Sequence, residues 1–155
     1  MTGPPVVRAA TAADTAGILA LAAEVEPWFG PMLSDPDFHA HLHRNIDRGT
    51  AHVTGDLSGA ILTGGRVPAY RIGWLVVAGP ARGRGIGRAL LSHVLAGFVR
   101  PCRVDVVTFG ADHPGAGSRD FYRRLGFTDG DPEPDGPDGG SRQRFTRYLQ
   151  RCTTG

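Results

Sequence analysis

The stretch from Val77 to Leu91, VAGPARGRGIGRALL, sets four glycines and three arginines between an apolar run from Tyr70 to Ala78 and another from Ile86 to Val99. That order reads as a strand, a tight loop and a helix N-terminus. The first amides of a helix have no partner within it, and together with the helix dipole they form an anion site. Arg82, Arg84 and Arg88 add charge in the planar, forked form that suits phosphate oxygens. The chemistry this stretch supports is that of a pyrophosphate cradle, with Gly83, Gly85 and Gly87 letting a ligand approach the backbone closely.

Composition narrows what such a cradle serves. All 17 basic residues are arginine and lysine is absent, which removes a P-loop NTPase, a Schiff-base lysine and a kinase strand lysine. A net charge of +2 is too small to argue for nucleic acid, and no aromatic platform is interleaved with the arginines. Cys102 and Cys152 form no Cys-x-x-Cys pair and have no histidine at ligand spacing, so neither a disulfide framework nor a zinc site is indicated. His39, His41 and His43 alternate, but on a helix only His39 and His43 share a face, and no third ligand is evident; no metal is expected. The opening MTGPPVVR lacks a basic n-region, and no run approaches membrane-spanning length. The expectation is a cytoplasmic protein with no membrane or nucleic-acid partner, its 155 residues forming one domain.

The elements that must position the loop follow from periodicity and breakers. Val6 to Ala10 is a strand candidate. Thr11 and Asp14 have the spacing of a capping box for a helix through Val25, with Ile18, Leu19, Ala22 and Val25 on one face and Pro27 ending it. PWFGPMLS, residues 27 to 34, reads as a loop whose Trp28 and Phe29 either pin it to the core or wall a pocket. Asp35 caps a second helix with Pro36 at its first position, carrying the stripe Phe38, Leu42 and Ile46 to Gly49. Short strands follow at Ala51 to Thr54 and Gly59 to Thr63, with turns at Gly55-Asp56 and Gly64-Gly65. Tyr70 to Ala78 is the longest apolar strand and so the central one. After the helix from Ile86 come a strand at Arg103 to Phe109, a loop at Gly110 to Gly117, a short helix at Ser118 to Leu125 stopped by Gly126, and a strand entered at Phe127. Asp129 to Gly140, nearly all Asp, Glu, Pro and Gly, reads as a solvated hairpin loop before a last strand at Gln143 to Leu149. The sum is an α/β chain with a mixed, mostly antiparallel twisted sheet flanked by helices.

Arg82-Gly83-Arg84-Gly85-Ile86-Gly87 resembles the acyl-CoA loop of the GNAT superfamily of N-acetyltransferases, (Arg/Gln)-x-x-Gly-x-(Gly/Ala). Ser118 to Phe127, SRDFYRRLGF, is similar to that family's later helix, Ala-x-x-x-Tyr-x-x-x-Gly-Phe, in the right order and about one strand away. The resemblance implies acetyl-CoA as cosubstrate and an amine of a small molecule or peptide as acceptor, with a homodimer left open. It implies that the backbone amides from Arg82 to Arg88 hold the CoA pyrophosphate. The backbone near Leu75 and Val77 would pair with the pantetheine arm and polarise the thioester carbonyl, and Tyr122 would protonate the departing thiolate. The family often has an Asn seven residues before the tyrosine, where this chain has Gly115, and a carboxylate on the central strand, where YRIGWLVV has none.

Acyl transfer to an amine needs a neutral nucleophile, a polarised carbonyl and a leaving group. One oriented N–H on the developing oxyanion is worth about 2.7–4 kcal/mol, and a phenol with a reference pKa of about 10 can donate at neutral pH. Glu26, Asp112, His113 or a chain of waters stand open as the base. Two other classes compete. A dinucleotide enzyme would use Gly85-Ile86-Gly87 with Asp105 as its ribose acid, but Leu90 occupies the last position of G-x-G-x-x-(G/A). A non-catalytic acyl-CoA-binding module would keep the cradle without turnover.

Overall fold

A computed structural model describes residues 5–113 and 117–151. The strands are β1 (Val7–Ala9), β2 (Ala51–Thr54), β3 (Gly59–Arg66), β4 (Ala69–Val77), β5 (Cys102–Phe109), β6 (Thr128–Glu133) and β7 (Arg142–Leu149). The helices are α1 (Thr15–Phe29), α2 (Pro36–Arg48), α3 (Ile86–Gly97) and α4 (Gly117–Arg124). The strands form one sheet in the order β1-β2-β3-β4-β5-β7-β6. β4 and β5 run parallel, and every other neighbouring pair is antiparallel. The mixed α/β sheet expected from the sequence is the architecture observed.

Both faces of the sheet are covered, and β3 shows how the sequence achieves it. Its adjacent Ile61 and Leu62 are both fully buried but belong to different cores, because successive strand side chains point to opposite faces. Ile61 packs with Leu90, Leu91, Val94, Val104, Tyr122 and Phe145, beneath α3 and α4. Leu62 packs with Ile18, Leu21, Leu42, Val53, Trp74 and Val76, beneath α1 and α2. No helix of the described residues is long and apolar enough to cross a membrane.

The expected Gly64-Gly65 turn is strand, because both glycines pair with β4 and the chain reverses only after Arg66; three further boundaries differ, each for a physical reason. Pro27 does not end α1, which runs on to Phe29 and stops at Gly30, where φ is +80°. A proline in the last turn forfeits one amide bond, whereas Gly30 reverses the chain while its own N–H still reaches the Glu26 carbonyl at 2.8 Å. Trp28 and Phe29 are therefore helical residues, held at fixed directions. Next, α3 ends at Gly97 rather than Val99, and Phe98 turns out to stack on Tyr70 with ring centroids 4.1 Å apart. Last, half of the acidic segment is a strand. β6 is an edge strand whose register shifts between Asp129 and Pro132, which accommodates its proline. Asp129 pairs with Arg123, Asp131 and Glu133 with Arg144, so arginines on α4 and β7 neutralise what composition alone reads as solvated loop.

The start of the chain is tied down by Asp14. Its carboxylate accepts from the Thr11 N–H at 2.8 Å and from both terminal nitrogens of Arg8, which holds it well below the usual carboxylate range.

Phe145 of β7 is completely buried between α4 and the sheet. Phe145→Ala should lower stability by about 3–5 kcal/mol, read from the denaturant midpoint at unchanged slope; a loss within experimental error would show that this core is not continuous.

Candidate active site

The site begins where two strands part. β4 and β5 pair from Ala69↔Arg103 to Ile72↔Val106, and no pairing follows, although β4 continues to Val77 and β5 to Phe109. At the same point the β3–β4 register shifts, Leu62 opposing Trp74 while Thr63 opposes Ile72, so Gly73 bulges between them. From Gly73 onward β4 keeps β3 on one edge and has none on the other.

Which groups face that open edge follows from alternation. The Ala78 N–H donates to the Ser58 carbonyl at 2.8 Å, toward β3. The N–H groups of Val77 and Leu75 therefore point to the open side. The Val77 carbonyl faces the same way, since it accepts from Arg82 Nε at 3.3 Å. The two strand residues singled out from the sequence are thus those whose amides are available.

The glycine–arginine loop stands at the end of this edge. Glu24 of α1 anchors its start by accepting from the Gly79 N–H at 3.0 Å. Gly83 and Gly85 have φ values of +80° and +79°, a region costly for other residues, and a Cβ at either would meet nothing within 4 Å. Gly85 is the N-cap of α3; no side chain caps the helix there and its first turn carries no acid. The amides at this end are left for a ligand. Arg82, Arg84 and Arg88 are exposed, and among the described residues none pairs with a carboxylate.

Loop and open edge together border a cleft of about 760 Å³. Arg82, Gly83, Gly85, Ile86, Gly87, Arg88, Leu75, Val77 and Tyr122 all line it; Arg84 does not. Tyr122 is buried against Phe121, Phe127 and Phe145, and burial pushes its phenol above the ordinary tyrosine range, so it stays protonated. A smaller cavity of about 310 Å³ lies at the other end of α3, between His93 and His52, away from the loop.

Part of the lining is aromatic: Trp28 and Phe29 from α1 pack with Phe109 from β5 as one wall, and Trp74 lines the cleft from β4. Trp28 meets Phe109 edge-on with centroids 5.6 Å apart, and Phe29 lies at 5.4 Å from the same ring. Arg142 braces this wall from behind. Its guanidinium sits 4.7 Å from the Phe109 ring centre and donates to the Trp28 carbonyl at 2.9 Å and to Asp138 at 3.1 Å. Asp138 also accepts from His113 Nε2 at 2.7 Å, and that imidazole stacks on Phe109 at 4.1 Å.

None of the bases considered from the sequence lines the cleft. The Glu26 carboxylate accepts from the Met32 N–H at 2.7 Å, Asp112 bonds the Ser141 hydroxyl, and His113 is engaged with Asp138 behind the aromatic wall. Asp105 accepts from the Thr146 hydroxyl at 2.6 Å and pairs with Arg103, at the paired end of β5 rather than beside the loop. His39 bonds the Leu33 carbonyl and His41 lies against Asn45. Gly115 lies outside the described residues. Conversely, the structure adds Arg124, Thr108, Ser118 and Phe121 to the lining. Ser118, Phe121, Tyr122 and Leu125 share one face of α4 at helical spacing, which is the signal that could have found them.

With this geometry, the comparisons fall into line. Residues 46–129 match the family model for an acetyltransferase (GNAT) domain, and the chain belongs to the GNAT acetyltransferases. Among solved structures it is similar to a GNAT-family acetyltransferase from Bacillus cereus, with 16% identity, a TM-score of 0.76, and coverage of 96% of this chain and 100% of that one. It is similar to a ribosomal-protein-alanine N-acetyltransferase from Brucella melitensis at 20% identity and a TM-score of 0.73, over 93% of this chain and 99% of that one. A third is N-acetylglutamate synthase from Neisseria gonorrhoeae, complexed with coenzyme A and N-acetyl-glutamate, at 20% identity and a TM-score of 0.70, over 97% of this chain and 36% of that one. The sequence comparison with curated proteins found no match.

Asp138 gives the site a measurable pH dependence. Hydrogen bonds from His113 first, then from the Gly140 N–H, with the Arg142 charge, hold its carboxyl at about 2. The unfolded chain, with a carboxyl near 3.9, binds the more protons in that range, so the stabilisation is complete above about pH 4 and is lost as the pH falls toward about 2. Asp138→Asn should lower the urea midpoint at neutral pH and flatten its fall across that window. A variant whose midpoint falls as steeply as the parent's would refute the linkage.

Proposed function

We propose that this chain is an acetyl-CoA-dependent N-acetyltransferase that transfers the acyl group directly to an amine of a small molecule or peptide bound in the same cleft. The observation that carries the reading is the junction of an open strand edge with an uncapped helix N-terminus flanked by unpaired arginines. An extended arm carrying amides can add to such an edge as a strand does, while its anionic end reaches the α3 amides. The family supports acetyl transfer, and the synthase from Neisseria gonorrhoeae, of which this chain covers 36%, is complexed with coenzyme A.

Acetyl-CoA supplies an activated acyl group, and the chain's residues do the rest. The backbone amides of residues 82–88, with Arg82 and Arg88, hold the pyrophosphate. The Leu75 and Val77 N–H groups orient the arm, and one of them faces the thioester oxygen, where a preorganised donor is worth about 2.7–4 kcal/mol. Tyr122, kept protonated by burial, gives its proton to the departing sulfur.

One observation favours a second reading, an acyl-CoA-binding module without turnover: no carboxylate or imidazole among the described residues lines the cleft. Release of free thiol in the presence of an amine separates the two.

Calorimetry should record binding of acetyl-CoA and none of NADH; binding of NADH alone would overturn the assignment. Tyr122→Phe should lower kcat by about tenfold or more while leaving acetyl-CoA affinity within about twofold. An unchanged kcat would remove the phenol from the reaction.

A further inference from the structure

The cleft's charges define its acceptor. Its lining includes no Asp, Glu or His among the described residues, and residues 114–116 are Pro, Gly and Ala, which have no group to titrate. The charged side chains that do line it are Arg82, Arg88 and Arg124, and none of these has a carboxylate partner among the described residues. Acids near the wall are already committed: Glu26 to the Met32 N–H, Asp112 to Ser141, and Asp138 to His113 and Arg142. Its lining instead carries the rings of Trp28, Phe29 and Phe109, with Trp74 on β4 itself.

An aliphatic amine with a pKa near that of lysine, about 10.4, reaches a neutral solution almost wholly as an ammonium ion. To enter, it would shed water among apolar rings with no carboxylate in the lining to offset the cost of desolvation. Cation–π contact with the rings returns only a part of that cost. Resting on the acyltransferase reading above, we infer that the acceptor is a small aromatic amine whose weakly basic nitrogen is unprotonated at neutral pH, bound beside the half-buried rings of Trp28 and Phe29.

Such an acceptor also balances the reaction without a base in the cleft. The nitrogen lone pair forms the C–N bond to the thioester carbon, and the C–S bond breaks with its electron pair going to sulfur. Sulfur takes the Tyr122 proton, and the proton shed by nitrogen restores the phenol through the Thr108–Ser118 hydroxyl pair or water. These hydroxyls are 2.6 Å apart and both line the cleft. The products are an amide and a thiol, and no net proton is left over. An ammonium acceptor would first have to shed one more proton, and no carboxylate or imidazole among the described residues lines the cleft to take it.

The test measures thiol release by the full chain at saturating acetyl-CoA with p-toluidine, phenethylamine and spermidine. The inference expects kcat/KM for p-toluidine to exceed that for spermidine by at least about tenfold and to stay flat from about pH 6 to about pH 9, while phenethylamine rises with its own deprotonation. Trp28→Ala should raise KM for p-toluidine about tenfold with kcat and acetyl-CoA affinity within about twofold. A preference for spermidine, or a p-toluidine profile that climbs with a group on the enzyme, overturns the inference and leaves the acyltransferase reading standing. Acetyl-CoA binding without thiol release from any of the three also overturns it. If acetyl-CoA does not bind, the acyltransferase reading itself fails.

Discussion

The parallel pairing of β4 with β5 lasts only from Ala69 and Arg103 to Ile72 and Val106, and the cleft exists because it stops there. A continued ladder would consume the outward amides of Leu75 and Val77 and close the space between the strands. Both strands remain secured on their other edges, β4 to β3 along its length and β5 to β7 from Cys102 to Phe109. The split is therefore held open by two intact antiparallel ladders, and unpaired backbone is confined to a surface a ligand can satisfy.

Helices complete what the split begins. α3 directs its N-terminus and the loop arginines to one end of the gap, and α4 places Tyr122 and Ser118 beside it. α1 contributes differently. Because it continues through Pro27, Trp28 and Phe29 project from a regular helix into the wall, where Arg142 ties the Trp28 carbonyl to Asp138 on the segment after β6. The wall is thus assembled from residues 28, 109 and 142, and its rigidity comes from a guanidinium stacked on one ring and bonded to the backbone beside another.

Much of this was legible in the chain. The capping pair Thr11 and Asp14, the Asp35-Pro36 start and the Gly49 stop mark helix limits through local chemistry that context does not override. The glycine–arginine loop was readable because positive φ, anion binding and helix initiation each demand particular residue types at adjacent positions. The β6 strand was not readable: its Asp, Gly and Pro residues disfavour strands, and its backbone pairing with β7, with arginines of α4 and β7 against its acids, makes it one. Nor was the fate of Glu26, Asp112 and His113, each plausible as a base until its partner is known.

By itself the sequence determined most of the elements, their amphipathic faces and the glycine–arginine turn into α3, since these depend on neighbours within a few positions. The tertiary structure alone decided that β4 and β5 diverge, that Trp28 and Phe29 of α1 pack on Phe109 of β5, and that Glu26, Asp112 and Asp138 are engaged elsewhere. Those outcomes depend on pairings between residues as far apart as Trp28 and Arg142. Local propensity carries no information about which distant groups will bond to one another.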